Sequence, residues 1–465
     1  MSTSYTPVPA TESIEMQSRD LEDGGSHRLL NTPSRPHRHT RSASASSFVY
    51  FKAPVERRLS SKSKMDKSLE LAVQALPSLL MSVLGLVAAG WMMDVFQHWE
   101  VFTQVSELFI LVPVLLNLKG NLEMNLAARF STLANLGDLD QPETRDTLVW
   151  GNLALIQVQA LISGAVAGII SFILGILEHP NEPATVYESI LIISSSMISA
   201  TVSSFILGVF MCLLIILSRK FKIDPDNIAC PMASSLGDVV TLGILAGCSQ
   251  ALLASIDSML TTILLVLMMA SIPFFGRAVK RNPAVNELLY SGWTPIILAM
   301  LISSFAGLVL ERYVEQYKGL AMLTPILCGL AGNLGSIYAS RISTGLHAGA
   351  EEQYELVEWT LLLMNVPVQI VFLFLIWILN IGHLDFTFAF AFTYFSVSMI
   401  STFLALKMGK SMTIALWKRD YDPDNYVLPY LTAIIDVICT TMLVIAFSWL
   451  SANGYADLAT TITSS

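Results

Sequence analysis

From about residue 68 to 450 the chain is a succession of apolar runs separated by short polar stretches. Each run has roughly the 20 residues that cross a bilayer as a helix. The pattern predicts eleven helices, at about 69–96, 104–136, 147–177, 188–218, 226–250, 256–276, 287–311, 319–346, 355–380, 386–408 and 426–450. Residues 1–65 are different material, rich in Ser, Thr, Pro, Arg and His. With so few apolar side chains this segment is expected to be a disordered tail. It lacks the apolar core of a cleavable signal peptide, so the first helix is expected to direct insertion. The strings RSASASS at 41–47 and RRLSSKS at 57–63 are candidate phosphorylation sites in a basic flank.

Composition strengthens the membrane interpretation. Of 465 residues, 53% are hydrophobic and 14% charged, where a soluble domain carries about 25% charge. A soluble enzyme, a disulfide-built secreted module and any large water-exposed domain beyond the tail are excluded. The net charge of −9 offers nucleic acid no basic surplus. The five cysteines have no metal-ligand spacing and read as reduced packing residues. Lys and Arg gather in the tail, at Arg129 and Arg145, in SRKFK at 218–222, in RAVKR at 277–281, and at Lys407, Lys410, Lys418 and Arg419. These fall on alternate connections, and only Arg312 and Lys318 break the rule. Because basic connections stay inside, the N-terminus is expected in the cytoplasm and the C-terminus outside, in a multi-pass protein of the plasma membrane.

An internal repeat organises the chain. Residues 113–134 (PVLLNLKGNLEMNLAARFSTLA) and 325–346 (PILCGLAGNLGSIYASRISTGL) are identical at ten of 22 positions, at a constant offset of 212. A second block pairs DPDNIACPMASSLGD at 224–238 with DPDNYVLPYLTAIID at 422–436, at an offset of 198. Apolar bias does not produce matched Asp, Asn, Arg and Pro. The expected fold is an all-α polytopic membrane protein in which two five-helix repeats, 66–253 and 285–451, are joined by a linking transmembrane helix and loop at 254–284. A short extracellular tail, 452–465, follows. Six helices separate equivalent positions, so the repeats are parallel and related by a pseudo-two-fold along the membrane normal, unlike inverted-repeat carriers.

The chemistry lies at the duplicated positions. An Asp within a membrane helix costs about 2.5–3.5 kcal/mol and is a functional candidate by default. Asp238 and Asp436 are such residues, and the pseudo-two-fold brings them toward one axis. There, two like charges repel unless a cation lies between them. Pro231 and Pro429 each free a carbonyl four residues earlier, on Asn227 and Asn425, offering neutral oxygens near the inner mouth. Asp224 and Asp422 are expected at that mouth, with Arg129 and Arg341 near the inner interface. Gly120-Asn121 and Gly332-Asn333 are expected to break the second helix of each repeat and line the pore. Lys119 and Glu123, spaced i,i+4, have Ala331 and Gly335 as counterparts and read as an internal ion pair of the first repeat only. Oxygen ligands around a wide site suit a partly hydrated hard cation such as Mg²⁺. The absence of paired intramembrane His or Cys argues against zinc or copper.

The strings LKGNLEMNLAARFSTLANLG, SRKFKIDPDNIACPMASSLGD, LYSGWTPIILAMLISSFAGL, AGNLGSIYASRIST and DPDNYVLPYLTAIID closely resemble the animal members of solute carrier family forty-one, magnesium transporters related to bacterial MgtE proteins. The resemblance covers nearly all of 69–450. It implies a fused pseudo-dimer of MgtE-like five-helix units, with Asp238 and Asp436 as principal Mg²⁺ ligands and no obligate homodimer. It implies Mg²⁺, and other divalent cations, as substrate rather than cofactor, with Na⁺ as a candidate coupling ion. The chain departs from the bacterial pattern at Asn125 and Ile337, where those relatives carry Gln, and has no large magnesium-sensing domain. A channel-like uniporter is the alternative within transport. An intramembrane aspartyl protease is the distant one, because SLGD at 235–238 has a superficial likeness to its GxGD motif, but the partner Asp436 lies in AIID rather than the expected Tyr-Asp, and no Pro-Ala-Leu string occurs. No enzymatic activity is expected.

Overall fold

The chain is described by a computed structural model over residues 64–454, apart from 137–138, 179–184, 221–225, 257, 284, 291–292, 349–353, 380–385 and 422. The expected disordered tail up to residue 63 and all but the start of the C-terminal tail lie outside these residues. So do Asp224, Pro225 and Asp422, and the side chains of Asn227, Pro231 and Asn425.

Among the described residues the apolar runs form eleven long helices and no strand. They are α1 (Lys64–Phe96), α3 (Glu107–Leu136), α4 (Pro142–Glu178), α5 (Val186–Lys220), α6 (Asp226–Leu253), α7 (Met259–Arg281), α8 (Trp293–Val314), α9 (Leu320–Ala348), α10 (Tyr354–Leu379), α11 (Phe388–Trp417) and α12 (Pro423–Ala452). A short α2 (Glu100–Gln104) interrupts the first connection. Pro423 takes the first helical position of α12, where its missing N–H has no intrahelical partner to lose. The largest boundary difference is in α11, which runs nine residues past its expected end. Just before this extension the Lys407 ammonium lies 2.6 Å from the buried Glu358 of α10, tying the two helices.

Among the described residues, ten spans are long and apolar enough to cross a membrane. The helix outside that set is α3, whose apolar sequence is diluted by Asn117, Lys119, Asn121, Glu123 and Asn125. Burying such groups in hydrocarbon is costly unless they face protein or water. α3 is accordingly held inside the bundle, against α4, α5, α6, α8 and α12.

The packing repeats itself. In the first repeat (α1, α3–α6), α5 packs on α3, α4 and α6, and α1 packs on α6; in the second (α8–α12), α11 packs on α9, α10 and α12, and α8 packs on α12. The first helix of each repeat also crosses to the other. α1 lies on α9 and α10, while α8 lies on α3 and α4. These crossings are close because of two glycines. A Cβ on Gly90 of α1 would collide with the Met322 carbonyl of α9, and one on Gly307 of α8 with the Ile110 backbone of α3. Ile110 and Met322 are 212 apart, the spacing of the repeat. Small residues let helix backbones meet where no hydrophobic force drives helices together in lipid. Six crossings separate α3 from α9, so equivalent helices run the same way, as parallel repeats. The linking helix α7 packs on α4 and α5 and buries only Thr261 and Val279. The exposed Ile263, Val266, Leu267 and Phe274 on its outer side belong to a large apolar surface that suits hydrocarbon.

Candidate cation site

A cavity of about 120 Å³ lies where α1, α3, α6, α8, α9 and α12 converge. Six α3 residues of its wall, Val112, Pro113, Leu116, Asn117, Gly120 and Asn121, recur at the i,i+3,i+4 spacing of one helix face. Every α9 residue of the wall stands 212 positions from one of them: Thr324, Pro325, Cys328, Gly329, Gly332 and Asn333. The pseudo-two-fold therefore passes through the cavity. Asp238 of α6 and Asp436 of α12 complete the wall from the two repeats. At 1.5 Å per residue they lie about 18 and 20 Å from the starts of helices about 42 and 45 Å long, near the middle of each helix. The two carboxylates are within electrostatic reach of each other. Sequence reasoning expected this meeting, and the fold produces it.

Both Gly-Asn pairs line the cavity, but the expected helix breaks do not occur. α3 runs unbroken through Gly120-Asn121 and α9 through Gly332-Asn333. A helical Gly costs only about 1 kcal/mol, and each Asn finds a sideways partner. Asn121 Nδ2 donates to Asn117 Oδ1 at 2.9 Å, and Asn333 Nδ2 donates to Ser82 Oγ of α1 at 2.8 Å. α12 likewise continues through Pro429, which is buried inside the helix and away from the wall.

Arg129 is not on the cavity wall; its Nε donates to Asn152 Oδ1 of α4 at 3.2 Å, making it a tie between α3 and α4. Arg341, half-buried, is also absent from the wall.

Asn117 was not among the expected site residues. Its Nδ2 donates to Thr432 Oγ1 at 2.9 Å and reaches Asp436 Oδ2 at 3.4 Å, so an amide of the first repeat holds the carboxylate of the second. Its counterpart is Gly329, which removes the signal of duplication. Asp238 therefore has no equivalent amide from α9. It has an ammonium instead. Lys119 and Glu123 pair as expected, with Nζ to Oε1 at 3.6 Å, but they also border the cavity, and both are within electrostatic reach of Asp238. Lys119 Nζ lies against Gly237, where a methyl group would meet it at 2.5 Å.

No three His, Cys, Asp or Glu side chains among the described residues converge into a metal cage. Cys212, Cys248, Cys328 and Cys439 are free thiols. The cavity wall carries the two aspartate carboxylates and several amides and hydroxyls among mostly apolar side chains.

The MgtE family, described as divalent cation transporters, matches the chain twice, over residues 112–248 and 324–446. Each match holds one copy of the Gly-Asn pair and one of the duplicated aspartates. The chain is 37% identical to solute carrier family 41 member 2 of Xenopus laevis, over 86% of this chain and 75% of that protein. It is 38% identical to the human member 2, over 83% of this chain and 72% of that one. It is 37% identical to the rat member 3, over 85% and 90%. These relatives are transporters rather than enzymes, which removes the aspartyl-protease alternative. With two copies of the MgtE unit in one polypeptide, the chain belongs to solute carrier family 41.

Proposed function

We propose that the substrate of this divalent cation transporter of the membrane is Mg²⁺, carried along the pseudo-two-fold with Asp238 and Asp436 as the principal ligands. The observation that supports this most is the meeting of two duplicated aspartates at one mid-helix cavity. Carboxylate and amide oxygens on the wall suit the replacement of part of the ion's water shell, in a single fused chain that needs no second copy to complete the site.

Coupling to Na⁺ makes this function an exchange; without it the same path is a channel-like uniport. Mg²⁺ flux in vesicles containing the purified protein, with and without a Na⁺ gradient, separates the two. Acceleration by an opposing Na⁺ gradient is the expected result. Flux indifferent to Na⁺ makes the protein a uniporter, and no Mg²⁺ flux under either condition removes the proposal.

The orientation follows from the basic connections. The exceptional Arg312, on the outer side by this assignment, is neutralised by Glu178 at 3.2 Å. In the plasma membrane of intact cells, antibody should reach a tag at the C-terminus but not one at the N-terminus. Access to both would overturn the assignment.

A further inference from the structure

We propose that Lys119 is a tethered cation that competes with the transported divalent ion for Asp238 and so sets how readily the site releases it. The inference rests on the transport function proposed above and deepens it.

A buried Lys–Glu pair that only glues helices should be tight and fully hydrogen-bonded, since desolvating two charges is otherwise expensive. This pair is neither. Both side chains are almost fully buried, yet Nζ and Oε1 stand 3.6 Å apart, beyond a good hydrogen bond. Among the described residues, Lys119 Nζ has no hydrogen-bond acceptor and Glu123 Oε1 has no donor. The ammonium borders the cavity, lies against Gly237 and acts electrostatically on the neighbouring Asp238. It is a buried positive charge with unused donors beside the carboxylate that the transported ion needs.

The charges around the cavity make the role specific. Its described ionisable side chains other than thiols are Asp238, Asp436, Glu123 and Lys119. Taken as ionised, three acids and one ammonium leave two net negative charges, which one divalent cation neutralises. When the ion is present, Asp238 is engaged and the ammonium is repelled toward Glu123. When the ion leaves, the long, flexible Lys119 side chain turns back to Asp238, so the carboxylate is never left without a counter-charge. This lowers the barrier to release. The second repeat has Ala331 and Gly335 at the matching positions, so the device acts on one aspartate of the two.

The test is initial Mg²⁺ flux against Mg²⁺ concentration, in vesicles with matched amounts of wild type, Lys119→Met, Lys119→Arg, Glu123→Gln and the Lys119→Met/Glu123→Gln double variant. Half-saturation should follow site charge. It should fall at least about tenfold in Lys119→Met, with a lower maximal rate, and rise at least about tenfold in Glu123→Gln. The double variant, with the wild-type net charge, should return to within about threefold of wild type, and Lys119→Arg should stay close to it. If Lys119→Met loses flux at unchanged half-saturation and the double variant is no better, the pair is structural and the inference fails. If wild-type vesicles carry no Mg²⁺, it is the proposed transport that fails. Mn²⁺ binding to the purified proteins, read by electron paramagnetic resonance, then decides the role of Lys119. The same order of affinities upholds it, and equal affinities overturn it.

Discussion

Asparagine at either Asp238 or Asp436 should reduce Mg²⁺ flux at least about tenfold, the effect of losing as little as 1.4 kcal/mol of ion binding, and the double variant should be little worse. Both carboxylates border one cavity, and a site that has lost half of its attraction for a shared ion has little more to lose. Residues acting on one bound ion couple, whereas independent sites add. Asn preserves shape, so the loss reports charge. At position 436 the incoming amide oxygen still accepts from Asn117, and local geometry should persist. At position 238 the change also removes the charge facing Lys119. Glu at either position keeps the charge but moves the carboxylate a methylene further into a site for an ion with demanding octahedral geometry. Flux should fall there too, with weaker discrimination against other divalent ions. The measurement is flux at matched surface expression. Near-normal flux in either Asn variant would mean that the duplicated acids are structural and that the shared path is wrong.

Asn117→Leu is expected to come close to this effect without touching a charged residue. Asn117 accepts from Asn121 within α3 and donates across the repeats to Thr432 and Asp436. Leu removes the amide that orients the Asp436 carboxylate and leaves the Asn121 amide without its acceptor. An unsatisfied buried polar group costs about 1–3 kcal/mol, and a bulky apolar side chain enters a space that a partly hydrated ion needs. A fall in flux of about tenfold at normal surface expression is expected. Asn333→Ala should be milder, because Asn333 bonds Ser82 of α1 rather than a carboxylate. Equal losses in the two variants would remove the special place given to Asn117.

The difference between Asn117 and the aspartates explains how much the sequence could reveal. Helix number and order were legible because transmembrane helices are specified by length and apolarity, and Asp238 and Asp436 because duplication marked them twice. Asn117 sits opposite a Gly in the alignment of the repeats, and its role depends on α12 passing alongside α3, which only the tertiary fold reveals. Lys119 and Glu123 could be paired from their spacing alone, but their position beside Asp238 depends on how α3 meets α6. The Gly-Asn pairs were misjudged as helix breaks for a local reason. Glycine and asparagine are weak helix formers, but Asn117 and Ser82 give the two Asn side chains partners without unwinding the backbone. Arg129 was expected near the inner interface from its charge; its tie to Asn152 depends on how α3 meets α4.

The inequality of the two repeats has a consequence for what evolution can write into such a site. In a transporter assembled from two identical chains, any substitution near the axis appears twice, and the site must remain its own mirror under rotation. Joining the copies in one polypeptide releases that constraint, because each codon then specifies one side only. Asn117 opposite Gly329 and Lys119 opposite Ala331 are differences of this kind. They give the cavity a distinguishable left and right: one carboxylate steadied by an amide, the other attended by a movable charge. The two-fold symmetry of the repeats is broken at this seat, so that one wall can hold while the other lets go.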